Sequence, residues 1–408
     1  MSGNSLKYEM TNETMNVGTH TLKRIRATRD FGVANFLGID PNTGHVSYEF
    51  CLISEGTLGG WIEDEKNLSQ ENTAWVYENA RVFGDAVVKD MGVVHDGVVC
   101  GGAKISGYAQ IYGSSTSISG STVVTDNAVV NDSVIECGNI GGNVTVKDAH
   151  MTGDGPIHID GTARVSSTVF RNYSGNSPIK VRGEARVEEA EIIGGREEIY
   201  IADHAKVLTG AKIFSGAKIY NEAYVCGNCE IHNAVLCHKV YVSGDGIIVD
   251  KGSQLSGCVK IYTEPEQPVR ISGLVLDGTA WVIGQDDLFA SKVVSRDRNY
   301  LMLLFARTAL NEVEMTMFHS DDPSYRDGAI YDGKTSTPGV TYLSEAIKLD
   351  DLFGELDAMP TENRRLADDI IEKAKEAKAH FDVRIKKLIE EGAKDGQSFY
   401  NHNLPEHE

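Results

Sequence analysis

The densest run of chemically capable side chains is Cys226-Gly-Asn-Cys229-Glu-Ile-His232-Asn-Ala-Val-Leu-Cys237-His238. Thiolates and imidazoles at such short spacing are the donor set of a tetrahedral zinc site. A second set is Arg171, Asn172, Tyr173, Asn176, Arg196, Glu197 and Glu198. Arginine, tyrosine and amide side chains on neighbouring loops could grip a small polar ligand, an anion or a partner protein. A third set, Asp321, Asp322 and Asp327, could hold a cation or be a solvated acidic loop. No G-x-S-x-G elbow stands beside them.

Whether any set converges depends on the elements that carry it. From Ala74 onward a small residue, any residue, then an aliphatic residue recurs every six positions. Ala74-x-Val76, Ala80-x-Val82 and Ala86-x-Val88 open the series. Ala205-x-Val207, Ala211-x-Ile213, Ala217-x-Ile219, Ala223-x-Val225 and Cys229-x-Ile231 continue it, and Ala280-x-Val282 closes it. Six matches neither the helical period nor one long strand. It matches a coil of three short strands, each contributing one inward aliphatic residue with a small inward residue two positions earlier. Glycines two positions after the aliphatic, such as Gly84 and Gly183, mark corners where a positive φ is needed. An antiparallel amphipathic sheet would not hold one six-residue frame for so long.

This frame redistributes the chemistry. Cys229 takes an inward small slot, whereas Cys226, His232 and Cys237 each follow an aliphatic residue on three successive faces. They diverge, so no metal is expected there. Phasing the coils on Ala163, Ala185, Ala205 and Ala223 gives turns of about 18 to 22 residues. Insertions at 152–156, 171–177 and 193–198 then share one corner of three consecutive coils, and 263–268 falls at another. Insertions stacked in this way commonly form binding loops on solenoids, although exposure alone would also make them polar.

The Ala-x-Val rungs resemble the hexapeptide-repeat, left-handed parallel β-helix superfamily. Leu22-Lys-Arg-Ile-Arg26, Arg29-Asp-Phe31, Thr57-Leu-Gly-Gly-Trp61-Ile-Glu63 and the rungs from Ala74 to Ala86 resemble, more closely, the uncharacterised YdcK-like proteins of bacteria and their phages. The resemblance covers about residues 20–285. The superfamily usually has Gly, Ala, Asp or Glu after the aliphatic residue, where this chain has Tyr77, Phe83, Tyr112, Phe214 and Tyr220. The resemblance implies a triangular solenoid, a possible homotrimer and a setting in a bacterial or phage-infected cell. It also implies an alternative activity, a CoA-dependent acyltransferase with acetyl-CoA as cofactor and His232 or His238 as general base. The first reading remains a non-catalytic binding or structural scaffold needing no cofactor, because no convergent catalytic set is found.

The ends differ in texture. Residues 1–71 are expected to cap the first coil, with strands at 22–27 and 46–53 and with Trp61 and Ile62 covering the first rung. The β-helix should run over 72–284. Tyr300-Leu-Met-Leu-Leu-Phe305 and Glu312-Val-Glu-Met-Thr-Met-Phe318 read as strands of a small α+β module over 285–345. Residues 346–408 form a helical region with a loose tail. Leu366, Ile370, Ala374, Ala377, Phe381, Ile385 and Leu388 make a heptad seam that either packs on the module or self-associates.

Composition sets the outer limits. The chain has 408 residues, 41% of them hydrophobic and 24% charged, which fits a mainly β soluble protein with several folding units. Forty-two glycines against nine prolines point to repeated tight turns. A net charge of −20 disfavours nucleic acid and anionic membrane as partners. Seven cysteines and the lack of a long apolar run fit a reduced, cytoplasmic protein.

Overall fold

A computed structural model describes residues 6–39, 46–173, 177–263, 267–294, 300–320, 340–342, 347–357 and 364–391. The chain divides into two compact units, Met1–Asn221 and Glu222–Glu408. It is mainly β and carries a parallel β-solenoid of about 11 turns.

In the first unit each turn places one short strand on each of three faces. On one face Val146, Val165, Val187 and Val207 stand in register on successive strands. On the next, Met151, Phe170, Ile192 and Ile213 do so. On the third, Ile140, Ile159, Val181, Ile201 and Ile219 complete the interior. All are buried. These three faces are called here the valine, phenylalanine and isoleucine faces. Ala163, Ala185, Ala205 and Ala211 fill the small inward slots and are also fully buried. Where alanine is missing, the slot is filled by another aliphatic residue, such as Val144 or Ile157, or by a hydroxyl residue. Thr122 and Ser133 are buried there and donate to the carbonyls of Ser119 (2.7 Å) and Asn131 (2.7 Å), so neither hydroxyl is left unsatisfied. Gly183 turns a corner at φ +66°, and a Cβ there would lie 3.0 Å from the Asp203 nitrogen.

The end of a solenoid leaves a row of backbone groups with no further coil to pair with. An antiparallel hairpin, Tyr8–Val17 and His20–Ala27, closes this end. Tyr8, Leu22, Ile25 and Trp75 are fully buried. Lys7 is buried too, and its Nζ donates to the carbonyls of Ser69 (2.6 Å), Ala74 (2.8 Å) and Glu71 (3.4 Å). Burial, with repulsion from Arg29, pushes its pKa down to about 7. Of the two residues expected to cover the first rung, Ile62 faces inward at 0% exposure, but Trp61 lies on the outer face with the Arg24 guanidinium over its ring. Period-two alternation forces this, since neighbours on a strand point to opposite sides.

A second hairpin, Phe31–Ile39 and Val46–Ile53, straps the valine face. Gln110 donates to the Ala34 carbonyl (3.0 Å), and Tyr48 packs on Tyr108. His95 is stacked between Tyr77 (4.8 Å) and Tyr112 (4.1 Å). Its Nε2 lies 2.8 Å from the Gln110 Oε1. Because the Gln110 nitrogen is already donating to Ala34, that oxygen is the acceptor and Nε2 carries the proton. Burial holds the His95 pKa below its usual value. The unfolded chain therefore binds a proton in a range where the folded chain does not, and stability falls as pH drops through about 6.5. Acidification from pH 7.5 to 5.5 should lower the melting temperature of wild type by a few degrees more than that of His95→Gln. Equal shifts in calorimetry would show that His95 is not the group responsible.

In the second unit the coils keep the same interior, with Val225, Val242, Ile261 and Val282 in register and fully buried. An antiparallel sheet follows, formed by Leu288–Val294, Tyr300–Ala309 and Glu312–Ser320, with Val340–Tyr342 and Ile347–Lys348 also pairing with its last long strand. Helix α1 (Leu349–Asp357) and helix α2 (Arg364–Glu390) pack against this sheet. The heptad seam does so through Ile370, Ala374, Ala377 and Phe381, which share a core with Leu303, Phe305, Val313 and Met315. Packing within the chain is thus what those seam positions do. A buried ion cluster joins the elements. Asp287, at 0% exposure, accepts from Arg307 Nε (2.8 Å) and Arg384 Nε (3.0 Å), and from the backbone N–H groups of Ile283 (2.8 Å) and Gly284 (3.1 Å).

Candidate functional site

The three insertions share the corner between the phenylalanine and isoleucine faces of the first unit. They follow the strands His150–Gly153, Val169–Asn172 and Glu191–Ile193, and precede Ile157–Ile159, Ile179–Val181 and Ile199–Ile201. Backbone bonds tie one loop to the next, from Gly155 N to Asn172 O (2.8 Å) and from Gly194 N to Arg171 O (2.7 Å). Ile179 N to Pro156 O (3.0 Å) and Ile199 N to Pro178 O (3.1 Å) repeat the pattern on the far side. Ser177 Oγ donates to the Arg196 carbonyl (2.6 Å). Ser215, one coil further, accepts from Glu197 N (2.9 Å) and donates to Glu197 O (3.1 Å). Loops pinned at both edges in this way are held in a fixed relation before any ligand arrives.

Asn172 anchors the stack from inside. It is fully buried, and its Nδ2 donates to Pro156 O (3.0 Å) and Ser177 O (3.1 Å). A Cβ at Gly155 or Gly194 would come within 2.5 or 2.2 Å of its side chain, so both positions need glycine. Asn172 therefore holds the corner and does not face solvent.

The other expected residues lie on the surface. Arg171 projects from the outer phenylalanine face, in register with Thr152 and Ile193, and forms an ion pair with Glu191. Tyr173 is 64% exposed, with its hydroxyl 3.0 Å from that of Thr152. Arg196 and Glu197 are exposed, and Glu198 pairs with Lys180 (3.2 Å). Arg196 makes no ion pair among the described residues, so its guanidinium is available to an anion or carboxylate. Asn176 lies outside the described residues, as do Asp321, Asp322 and Asp327. Lys180, Glu191 and Ser215 also belong to this corner, although no motif in the sequence marks them. Carrying the rung frame one coil further would have placed Ser215 at this corner, directly after Phe214.

In the second unit the cysteine and histidine string is spread over the coil. Cys229 is fully buried and its Sγ donates to the Cys226 carbonyl (3.0 Å). Burial, with the Cys226 thiol adding to it, pushes its pKa up to about 12, which keeps it a thiol at neutral pH. His232 Nε2 lies 3.4 Å from Glu230 Oε2, and His238 Nδ1 lies 3.6 Å from the Cys237 sulfur. Among the described residues, no three His, Cys, Asp or Glu side chains come together as a metal site.

Three stacked parallel faces with one corner of inserted loops define a parallel β-solenoid protein. Neither a protein-family model nor a curated protein matches the chain. No described helix is long and apolar enough to cross a membrane.

Proposed function

We propose that this chain is a non-catalytic scaffold of the left-handed hexapeptide-coil class that captures a small anionic ligand or an acidic protein segment at its stacked corner. The observation that carries the reading is the exposed Arg196 guanidinium, unpaired among the described residues, on loops hydrogen-bonded into register with those of Arg171 and Tyr173. A fixed array loses little conformational entropy on binding, so even a few charge-assisted hydrogen bonds yield useful affinity. The resemblance to YdcK-like proteins of bacteria and phages supports a cytoplasmic setting and an oligomer, with a homotrimer first in line.

A second reading rests on the His232–Glu230 pair, since a carboxylate at 3.4 Å can orient an imidazole as a general base. An acyltransferase would bind acetyl-CoA and be stabilised by it. The scaffold reading expects no thermal shift with acetyl-CoA. It also expects that Arg171→Ala with Arg196→Ala weakens capture of an acidic peptide by at least about tenfold while leaving the melting temperature within about 2 °C. Unchanged capture by the double variant in a calorimetric titration would remove the corner from consideration.

A further inference from the structure

A pocket of about 270 Å³ opens in the first unit, well before the stacked corner in the chain. Trp61, Met15 and Val98 form an apolar wall, while Arg81, Asp96 and Ser114 contribute polar groups. Two of these groups are unusual for this protein. Arg81 makes no ion pair among the described residues, and its Nε is buried with no hydrogen-bond partner. Asp96 makes no ion pair either, and one of its oxygens accepts only the adjacent Gly97 N–H (2.7 Å). The neighbouring charges are already matched, with Arg24 bound to Glu78 (2.8 Å) and to Glu13 (3.3 Å).

An unpaired cation and an unpaired anion thus line the same small pocket without meeting each other. Elsewhere on this surface such charges pair directly, as Arg182 does with Asp160 at 2.9 Å. Partly buried charges kept apart are costly unless something supplies the opposite charge to each. A ligand with a carboxylate at one end and an ammonium at the other does so. The Arg81 guanidinium takes the carboxylate through parallel N–H donors, and the Asp96 carboxylate takes the ammonium. The wall of Trp61, Met15 and Val98 receives an apolar side chain.

We propose that this pocket is a binding site for a small zwitterion, an α-amino acid with an apolar side chain. It is separate from the stacked corner and does not depend on the function proposed for it. A saccharide is the main competitor, because a tryptophan with planar polar neighbours also suits a sugar ring. The charge separation favours the zwitterion.

The test uses the full chain with L-phenylalanine, L-leucine and L-methionine as probes, followed by saturation-transfer NMR and calorimetry. Three comparison compounds accompany them: 3-phenylpropionate, phenethylamine and methyl α-glucoside. The expected result is binding of at least one amino acid, with affinity at least about tenfold weaker for the two single-charge analogues. Arg81→Gln and Asp96→Asn should each cost about tenfold or more. Both side chains lie outside the interior column, and unchanged circular dichroism will confirm that each variant is folded; if one misfolds, the other still decides. No binding of any amino acid at about 20 mM would overturn the proposal. Equal binding of 3-phenylpropionate would remove the role of Asp96. Binding of methyl α-glucoside alone, lost in Trp61→Phe, would reassign the pocket to sugars.

Discussion

Asp287→Ala should destabilise the second unit by about 3–5 kcal/mol and free helix α2 to exchange its amide protons. The reason is charge balance. Arg307 and Arg384 are 4% and 5% exposed and both bind one carboxylate. The arginines hold the Asp287 carboxyl below its usual pKa against the opposing effect of burial. Removing it strands two desolvated guanidinium groups and orphans the N–H groups of Ile283 and Gly284. Hydrogen exchange over Arg364–Glu390 reports the loss directly. Adding Arg384→Met to the Ala variant should restore part of the stability, because one of the uncompensated charges is then gone. A loss below about 1 kcal/mol would mean that the cluster is surrounded by more water than its burial indicates.

Val207→Asp should have an effect at least as large, at about 4–5 kcal/mol or more, enough to prevent its coil from closing. Val207 is fully buried in the column below Val187, where a carboxylate meets only aliphatic side chains. Its neighbour Lys206 points outward, and Lys206→Asp should change stability by no more than about 0.5 kcal/mol. In a solenoid each turn touches only its neighbours, so the damage should centre on the coils around residue 207. Limited proteolysis with mass mapping would locate it. Similar tolerance at both positions would mean that the inside and outside of the strand had been assigned wrongly.

The solenoid was legible because its interior admits so few residue types that the six-residue rhythm survives along most of the chain. The rhythm fades between Ile111 and Ala128 for a physical reason. Thr116 and Thr122 stand in the slot that alanine fills elsewhere, and a buried hydroxyl is tolerated there because it can donate to a carbonyl a few residues back. The site was only partly legible. Spacing located the corner where the loops coincide, but polarity suggested that every residue on it faces water. Asn172 shows why that inference fails, since a corner contains unpaired backbone groups and an amide can serve them from inside. Gly155 and Gly194 were the available signal, both required by the space that Asn172 occupies. Periodicity likewise marked the apolar side of helix α2 without saying what would cover it. The strap Phe31–Ile39 with Val46–Ile53 has no rung pattern at all, and only Gln110, a polar residue buried next to a rung aliphatic, hinted that something packs there.

Capture at the stacked corner requires that loops some twenty residues apart in the chain lie one above another. Cysteines placed on the strands that feed the corner test this most directly. Arg171 and Ile193 are register partners on adjacent parallel strands, which lie about 4.8 Å apart, within the span a disulfide can bridge. Thr152 and Ile193 are one strand further apart, at about 10 Å, and cannot be bridged without moving the backbone. Under mild oxidation, peptide mapping should find a disulfide in the Arg171→Cys, Ile193→Cys variant and none between the engineered positions in the Thr152→Cys, Ile193→Cys variant. The reverse outcome, or no bridge in either, would contradict the stacked corner and the binding site proposed on it.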